Sequence, residues 1–149
     1  MSDDDEAIPE IVCPAGMSPK HGSDMGRAML EHFHHRHNYP STHLHHPVAK
    51  AFNTASEALA TADFVCNRQR YDYVDQEYKV VVVVRWWHSY RAEFLFRRMM
   101  ERVSTKMLPG RRLPDITVIR VPGSADWKGM LCEPLSWGLM LLRIATGKN

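Results

Sequence analysis

Seven of the nine histidines crowd into one stretch: His32, His34, His35, His37, His43, His45 and His46. Imidazole is the commonest transition-metal ligand and the side chain that titrates nearest neutrality. On a helix, His32 with His35 and His34 with His37 are i,i+3 pairs, so each pair can share a face. The stretch lacks an HExxH motif, and the i,i+4 partners of His32 and His34 are Arg36 and Asn38. The expectation is therefore no dedicated metal and no cofactor, with His32, His35, His43 and His46 as the candidate ligands. The competing readings are a pH-sensitive interface and a plain polar connection around the Tyr39-Pro40 break.

A second group is Pro114-Asp115 and, after ten intervening residues, Asp126-Trp127-Lys128. Two carboxylates can hold a divalent cation while a lysine orients the attacking water. In form this resembles the PD-(D/E)xK nuclease superfamily over about fifteen residues. The resemblance implies Asp115 and Asp126 as metal ligands, Lys128 as the water-positioning base, and Glu93 or Glu101 as an additional ligand. It also implies further strands after the last helix of this chain, which the sequence does not supply. The segment from Ser124 to Leu131 reads equally as a helix start or a returning strand.

The third group is charge. Between Lys79 and Arg112 nine bases stand against Glu93 and Glu101. Arg91, Arg97, Arg98, Arg102, Arg111 and Arg112 are the expected phosphate, nucleic-acid or acidic-partner residues, because a basic face attracts such ligands. Trp86 and Trp87 beside Arg85 and Arg91 fit base stacking, or else core packing. GxGxxG, Walker, GxSxG and EF-hand patterns are all missing. His88 and Ser89 are neighbours without an obvious third member, so a nucleophilic triad finds no support.

These groups need elements to position them. Val80 to Val84 is an unbroken β-branched run, the signature of a strand covered on both faces. Trp86 and Trp87 would extend it, and Ser89 would cap the helix that follows. Ala92, Leu95, Phe96, Met99, Val103 and Met107 recur at helical steps, until Pro109-Gly110 stops them. Asp115 to Val121 is a second strand. Strand, helix, strand over some forty residues fits a crossover with parallel strands. Two strands make a poor sheet, so a third is expected from residues 8–13, from 124–131 or from another chain.

Upstream, Ser23 or Asp24 can cap a helix to about His37, with Met25, Ala28, Met29 and Phe33 inward. A second helix is expected from Pro47, with Val48, Phe52, Ala55, Leu59, Ala62 and Cys66 as its stripe. Pro134 should open a last helix, Leu135 to about Thr146, apolar nearly all round and so buried in its own core or in a neighbour.

At 149 residues the chain suits one domain with a core of its own. Cys13, Cys66 and Cys132 are far apart and form no CxxC pair, which excludes a zinc ribbon or disulfide framework and favours a reducing compartment. The net charge of +2 hides an acidic start: Asp3, Asp4, Asp5, Glu6 and Glu10, with no base among the first ten residues. That start lacks the basic region of a signal peptide, and no apolar run is long enough to span a bilayer.

The sequence thus predicts an α+β domain over residues 23–149, with a small sheet around Val80–Val84 packed by amphipathic helices. An extended acidic arm over residues 1–22 precedes it. The expected role is a non-enzymatic structural subunit, a homo-oligomer or part of a multi-subunit assembly, docking on a protein neighbour by its arm. Virion or phage neck and tail components have this style, placing the chain in the cytoplasm or a virion. The alternative is a basic nucleic-acid-binding protein or the Mg²⁺-dependent nuclease.

Overall fold

Asn53 is where the first long helix begins. Its carboxamide oxygen accepts from the Ser56 N–H at 3.0 Å, and the Ser56 hydroxyl accepts from the Asn53 N–H at 3.1 Å. This reciprocal box satisfies donors that the first helical turn otherwise leaves open. The computed structural model describes residues 8–14, 25–46, 53–72, 77–123 and 127–147. In chain order these form β1 (Ile11–Val12), α1 (Met25–His37), β2 (Leu44–His45), α2 (Thr54–Tyr71), β3 (Lys79–Arg85), α3 (Ser89–Met107), β4 (Asp115–Val121) and α4 (Trp127–Ala145). The fold is mixed α+β, with two sheets of two strands each.

The core is the α2–α3 contact laid on one face of β3 and β4. Ala58, Ala62 and Cys66 recur every fourth residue of α2 and are fully buried. Their small side chains let α3 approach closely, where Leu95, Phe96, Met99, Met100 and Val103 fill the space. Val82 and Ile116 close it from the sheet, and Met140 from α4. The α2 stripe is thus Ala58–Ala62–Val65–Cys66, while Leu59 faces outward; Val48 and Phe52 lie outside the described residues.

β3 and β4 pair in parallel, in register from Lys79↔Asp115 to Arg85↔Val121, with α3 as the crossover. The valine run is covered on one side only. Val82 is 7% exposed, whereas Val81 and Val83 are 54% and 62% exposed. The reason is that α2 and α3 both lie on the Val80–Val82–Val84 face, and among the described residues nothing covers the other. Ile119 and Val121 extend that bare face across β4. Among the described residues no third strand joins: Ile11 and Val12 pair instead with Leu44 and His45, and residues 127–131 belong to α4.

Trp86-Trp87-His88 form a 3₁₀ turn rather than prolonging the strand. Ser89 is already helical at φ −63°, ψ −40°, and its hydroxyl donates to the Trp86 carbonyl at 2.7 Å, so His88 is the capping position. Gly110, at φ +82°, supplies the left-handed turn after α3. On α1, Gly26 and Leu30 are buried and Phe33 half-buried while Met29 is exposed, one step round from the expected face. The dense histidines blur the polar–apolar contrast that would have fixed the phase. Ser23 and Asp24 lie outside the described residues.

Two further expectations change. α4 starts at Trp127, and Pro134 lies inside it, removing one backbone donor from the helix ladder. It is not buried all round: it turns Met140, Trp137 and Ile144 inward and leaves Leu131, Leu135, Leu139, Leu141 and Leu142 exposed. The segment 8–14 of the arm is held by its own chain. The Cys13 N–H donates to the His45 carbonyl at 3.0 Å, and His46 Nδ1–H donates to the Cys13 carbonyl at 2.8 Å. Tyr39 donates to the Pro9 carbonyl, and Arg68 pairs with Glu10.

Candidate functional site

Three helices leave a cleft of about 790 Å³ between them. Leu59 and Asp63 of α2, Leu95, Met99 and Val103 of α3, and Leu139, Met140 and Ile144 of α4 line it. Its rim is cationic: Arg98, Arg102 and Lys106 follow one another at four-residue spacing along α3, and Arg143 faces them from α4. Among the described residues Asp63 is the one acid in the lining, and none of these four cations carries an ion pair. An apolar floor under unpaired cations suits an anionic ligand that also desolvates on binding.

The structure therefore divides the six expected arginines. Arg97 bonds Glu93 at 3.1 Å and the Ile116 carbonyl at 2.8 Å, tying α3 to β4. Arg111 donates to the Gln69 and Asp72 carbonyls at the C-terminus of α2, where a cation complements the helix dipole. Arg112 pairs with Glu77, and Arg91 with Glu133. Of the six, Arg98 and Arg102 are the two without a partner among the described residues.

At one end of the cleft sits a polar cluster that fixes α4. Arg91 Nε donates to Glu133 Oε1 at 2.8 Å and Arg91 Nη2 to Glu133 Oε2 at 3.2 Å, a two-pronged pair. His88 Nδ1 lies 3.3 Å from Glu133 Oε2 and 3.1 Å from Arg91 Nη2. Its Nε2 is 2.9 Å from the Thr54 hydroxyl. Because that hydroxyl both donates and accepts, either neutral tautomer satisfies both ring nitrogens. Burial pushes the His88 pKa down, and the Arg91 charge adds to this against the opposing pull of Glu133. For Glu133, burial pushes upward, but the bonds and charges of Arg91 and His88 outweigh it and hold the carboxyl below its ordinary value.

Hydroxyl, imidazole and carboxylate in that order resemble a nucleophile relay. Here the carboxylate is committed to Arg91 on both oxygens, which neutralises the charge a relay would use. The cluster acts as a clamp joining α2, α3 and α4. The sequence offered no signal for it, since Thr54, His88 and Glu133 are 34 and 45 residues apart.

Asp115 is exposed at the start of β4, in a small cleft with Lys79, Glu77 and Arg112. Asp126 lies outside the described residues, and Lys128 is in the first turn of α4, where its ammonium lies 5.7 Å from the Trp127 ring centroid. Lys128 thus sits on a helix and not on a strand beside Asp115. Glu93 pairs with Arg97, and Glu101 is exposed on α3.

Among the described residues no group of three or more histidines, cysteines and carboxylates is placed to hold a metal ion. His32 and His35 are exposed on α1, where His32 stacks edge-on against His37 and His35 against His34. His43 meets Thr42, and His46 holds the Cys13 carbonyl. Trp87 is half-buried and Trp86 exposed. Burial raises the pKa of the Cys13 and Cys66 thiols, which disfavours the thiolate. No helix among the described residues is long and apolar enough to cross a membrane.

Compared with known proteins, the chain matches no family model, no curated protein and no solved structure.

Proposed function

We propose that this chain is a non-enzymatic structural subunit that assembles with further copies of itself. The observation that carries this reading is the outward face of α4. Leu131, Leu135, Gly138, Leu142 and Ala145 follow one another at alternating steps of four and three, the spacing of a helix-pairing seam. Leu131, Leu135 and Leu142 are 68%, 66% and 60% exposed, and Leu139 and Leu141 flank them. Contiguous exposed leucines of this kind mark contact surfaces.

Gly138 supports the same reading. A glycine inside a helix is about 1 kcal/mol less favourable than alanine. Apart from its chain neighbours and its own helix backbone, no atom of the described residues lies within 4 Å of where its Cβ would stand, so packing among them does not require it. A second helix approaching closely along the seam does. The seam carries no charge of its own, so two copies meet on it without repulsion. The bare Val81–Val83–Ile119–Val121 face is a second apolar surface available to a larger assembly. Assembly as a virion component, or of another kind, lies within this proposal. The test is the native mass of wild-type protein against a Leu135→Glu/Leu142→Glu variant.

A further inference from the structure

We propose that the acidic residues Asp3, Asp4, Asp5 and Glu6 of one copy dock in the α2–α3–α4 cleft of a second copy. The inference rests on the assembly reading and names the contact that follows from it. Four cations on the rim of the cleft, Arg98, Arg102, Lys106 and Arg143, have no ion pair among the described residues. The chain's one uninterrupted run of acids is Asp3–Glu6, and no base occurs in its first ten residues. The sizes agree. Arg98 to Lys106 covers eight helical steps, about 12 Å at 1.5 Å each. Asp3 to Glu6 in extended chain covers about 10 Å.

The geometry favours a second copy over the same one. Ile8 to Pro14 lie along the flank of α2 that carries Thr61, Phe64 and Arg68. The cationic cleft opens on the other flank, at Ala55, Leu59 and Asp63. From Ile8, the acids at positions 6 to 3 reach only about 7 to 18 Å at about 3.5 Å per residue. A helix with its side chains is about 10–12 Å thick, so rounding α2 would use most of that reach. A second copy that sets its cleft beside the Ile8–Pro14 flank meets the run with no such detour.

The apolar floor contributes to strength. Leu95, Met99 and Val103 lower the local dielectric beneath the cations, which strengthens each pair relative to open water. Screening by salt still weakens the contact, because the rim faces solvent.

The experiment uses the full chain with its own run neutralised (Asp3→Asn, Asp4→Asn, Asp5→Asn, Glu6→Gln) and a fluorophore-labelled peptide of residues 1–7. Anisotropy should show saturable binding that weakens as salt rises. Arg98→Glu with Arg102→Glu should weaken it about tenfold or more. A peptide with lysine at positions 3, 4 and 5 should bind that charge-reversed protein and not the original. Should that variant fail to fold, Arg102→Glu with Lys106→Glu repeats the test at the exposed end of the ridge. Binding that ignores the rim charges overturns the inference while leaving the α4 seam untouched. Failure of the assembly reading looks different: the wild-type protein then has the mass of one chain at every concentration. If peptide still binds such a monomer, the run serves its own copy and docking between copies is overturned.

Discussion

His88 Nδ1 lies 3.3 Å from Glu133 Oε2, which joins the turn before α3 to the second turn of α4. Forty-five residues separate the two, and the contact holds the helix that carries both the leucine seam and one wall of the cationic cleft. Trp137 on Phe94, ring centroids 5.9 Å apart, is the apolar half of the same attachment.

Removing Glu133 should therefore loosen α4 before it unfolds the core. Glu133→Ala leaves Arg91 and His88 mostly buried without their anion, a loss of about 2 kcal/mol for a partly buried, hydrogen-bonded pair. Urea unfolding followed by tryptophan fluorescence should show a lower midpoint. A double-mutant cycle with Arg91→Ala should return a coupling well above zero, and additive effects would show that the clamp is decorative.

The clamp also sets a pH dependence. Burial lowers the folded-state pKa of His88, and burial does the same for His45, which faces Glu10 at 3.4 Å, Arg68 and the Phe64 ring. His88 faces Thr54 from α2, Arg91 from α3 and Glu133 from α4. A histidine with a depressed folded pKa binds its proton more readily when unfolded, so stability is full above the unfolded value near 6.5 and falls as pH drops below it. Glu133, also depressed, adds a loss in the same direction at lower pH. The melting temperature should fall between pH 7 and pH 5, and the fall should be smaller in His88→Gln. An equal fall in that variant would remove His88 from the account.

The parallel pairing of β3 and β4 around α3 was legible from the valine run, the apolar helix face and the second strand. Helical periodicity also located the α3 core, because Leu95, Phe96, Met99 and Val103 keep their spacing through nineteen residues. What was not legible is what depends on the rest of the fold. Val80–Val84 reads as covered on both faces whether or not a second layer exists, since valine's β-branched shape suits a strand in either case. The apolar character of α4 likewise could not say whether its leucines are buried here or in a neighbour. The groove rim was visible as charge, but which arginines are free depends on Glu133, Glu77 and two helix-end carbonyls placed by tertiary structure.

Neighbouring valines should respond differently to substitution. Val82→Ala opens a cavity between α2, α3 and the sheet and should reduce stability by about 2 kcal/mol. Val83→Thr, on the bare face, should change the isolated chain by no more than about 0.5 kcal/mol. Chemical denaturation under conditions that dissociate any oligomer checks both, and equal losses would mean that the outer face is covered within the chain.

Gly138 offers a substitution with opposite effects on folding and on assembly. Gly138→Ala should stabilise the dissociated chain by up to about 1 kcal/mol through helix propensity. Gly138→Leu should keep the fold, since space is open around the site, but should weaken association by blocking close approach of a second helix. Thermal melts and sedimentation on the same samples separate the two effects. Unchanged association in Gly138→Leu would place the seam elsewhere.

The most direct measurement is the native mass by light scattering across a concentration series, for wild-type protein and for Leu135→Glu/Leu142→Glu. The account expects wild-type protein at two or more chain masses, persisting in high salt because the seam is apolar, and the variant at one chain mass with unchanged far-ultraviolet circular dichroism. Wild-type protein at one chain mass throughout, or a variant that assembles as well as wild type, would contradict it.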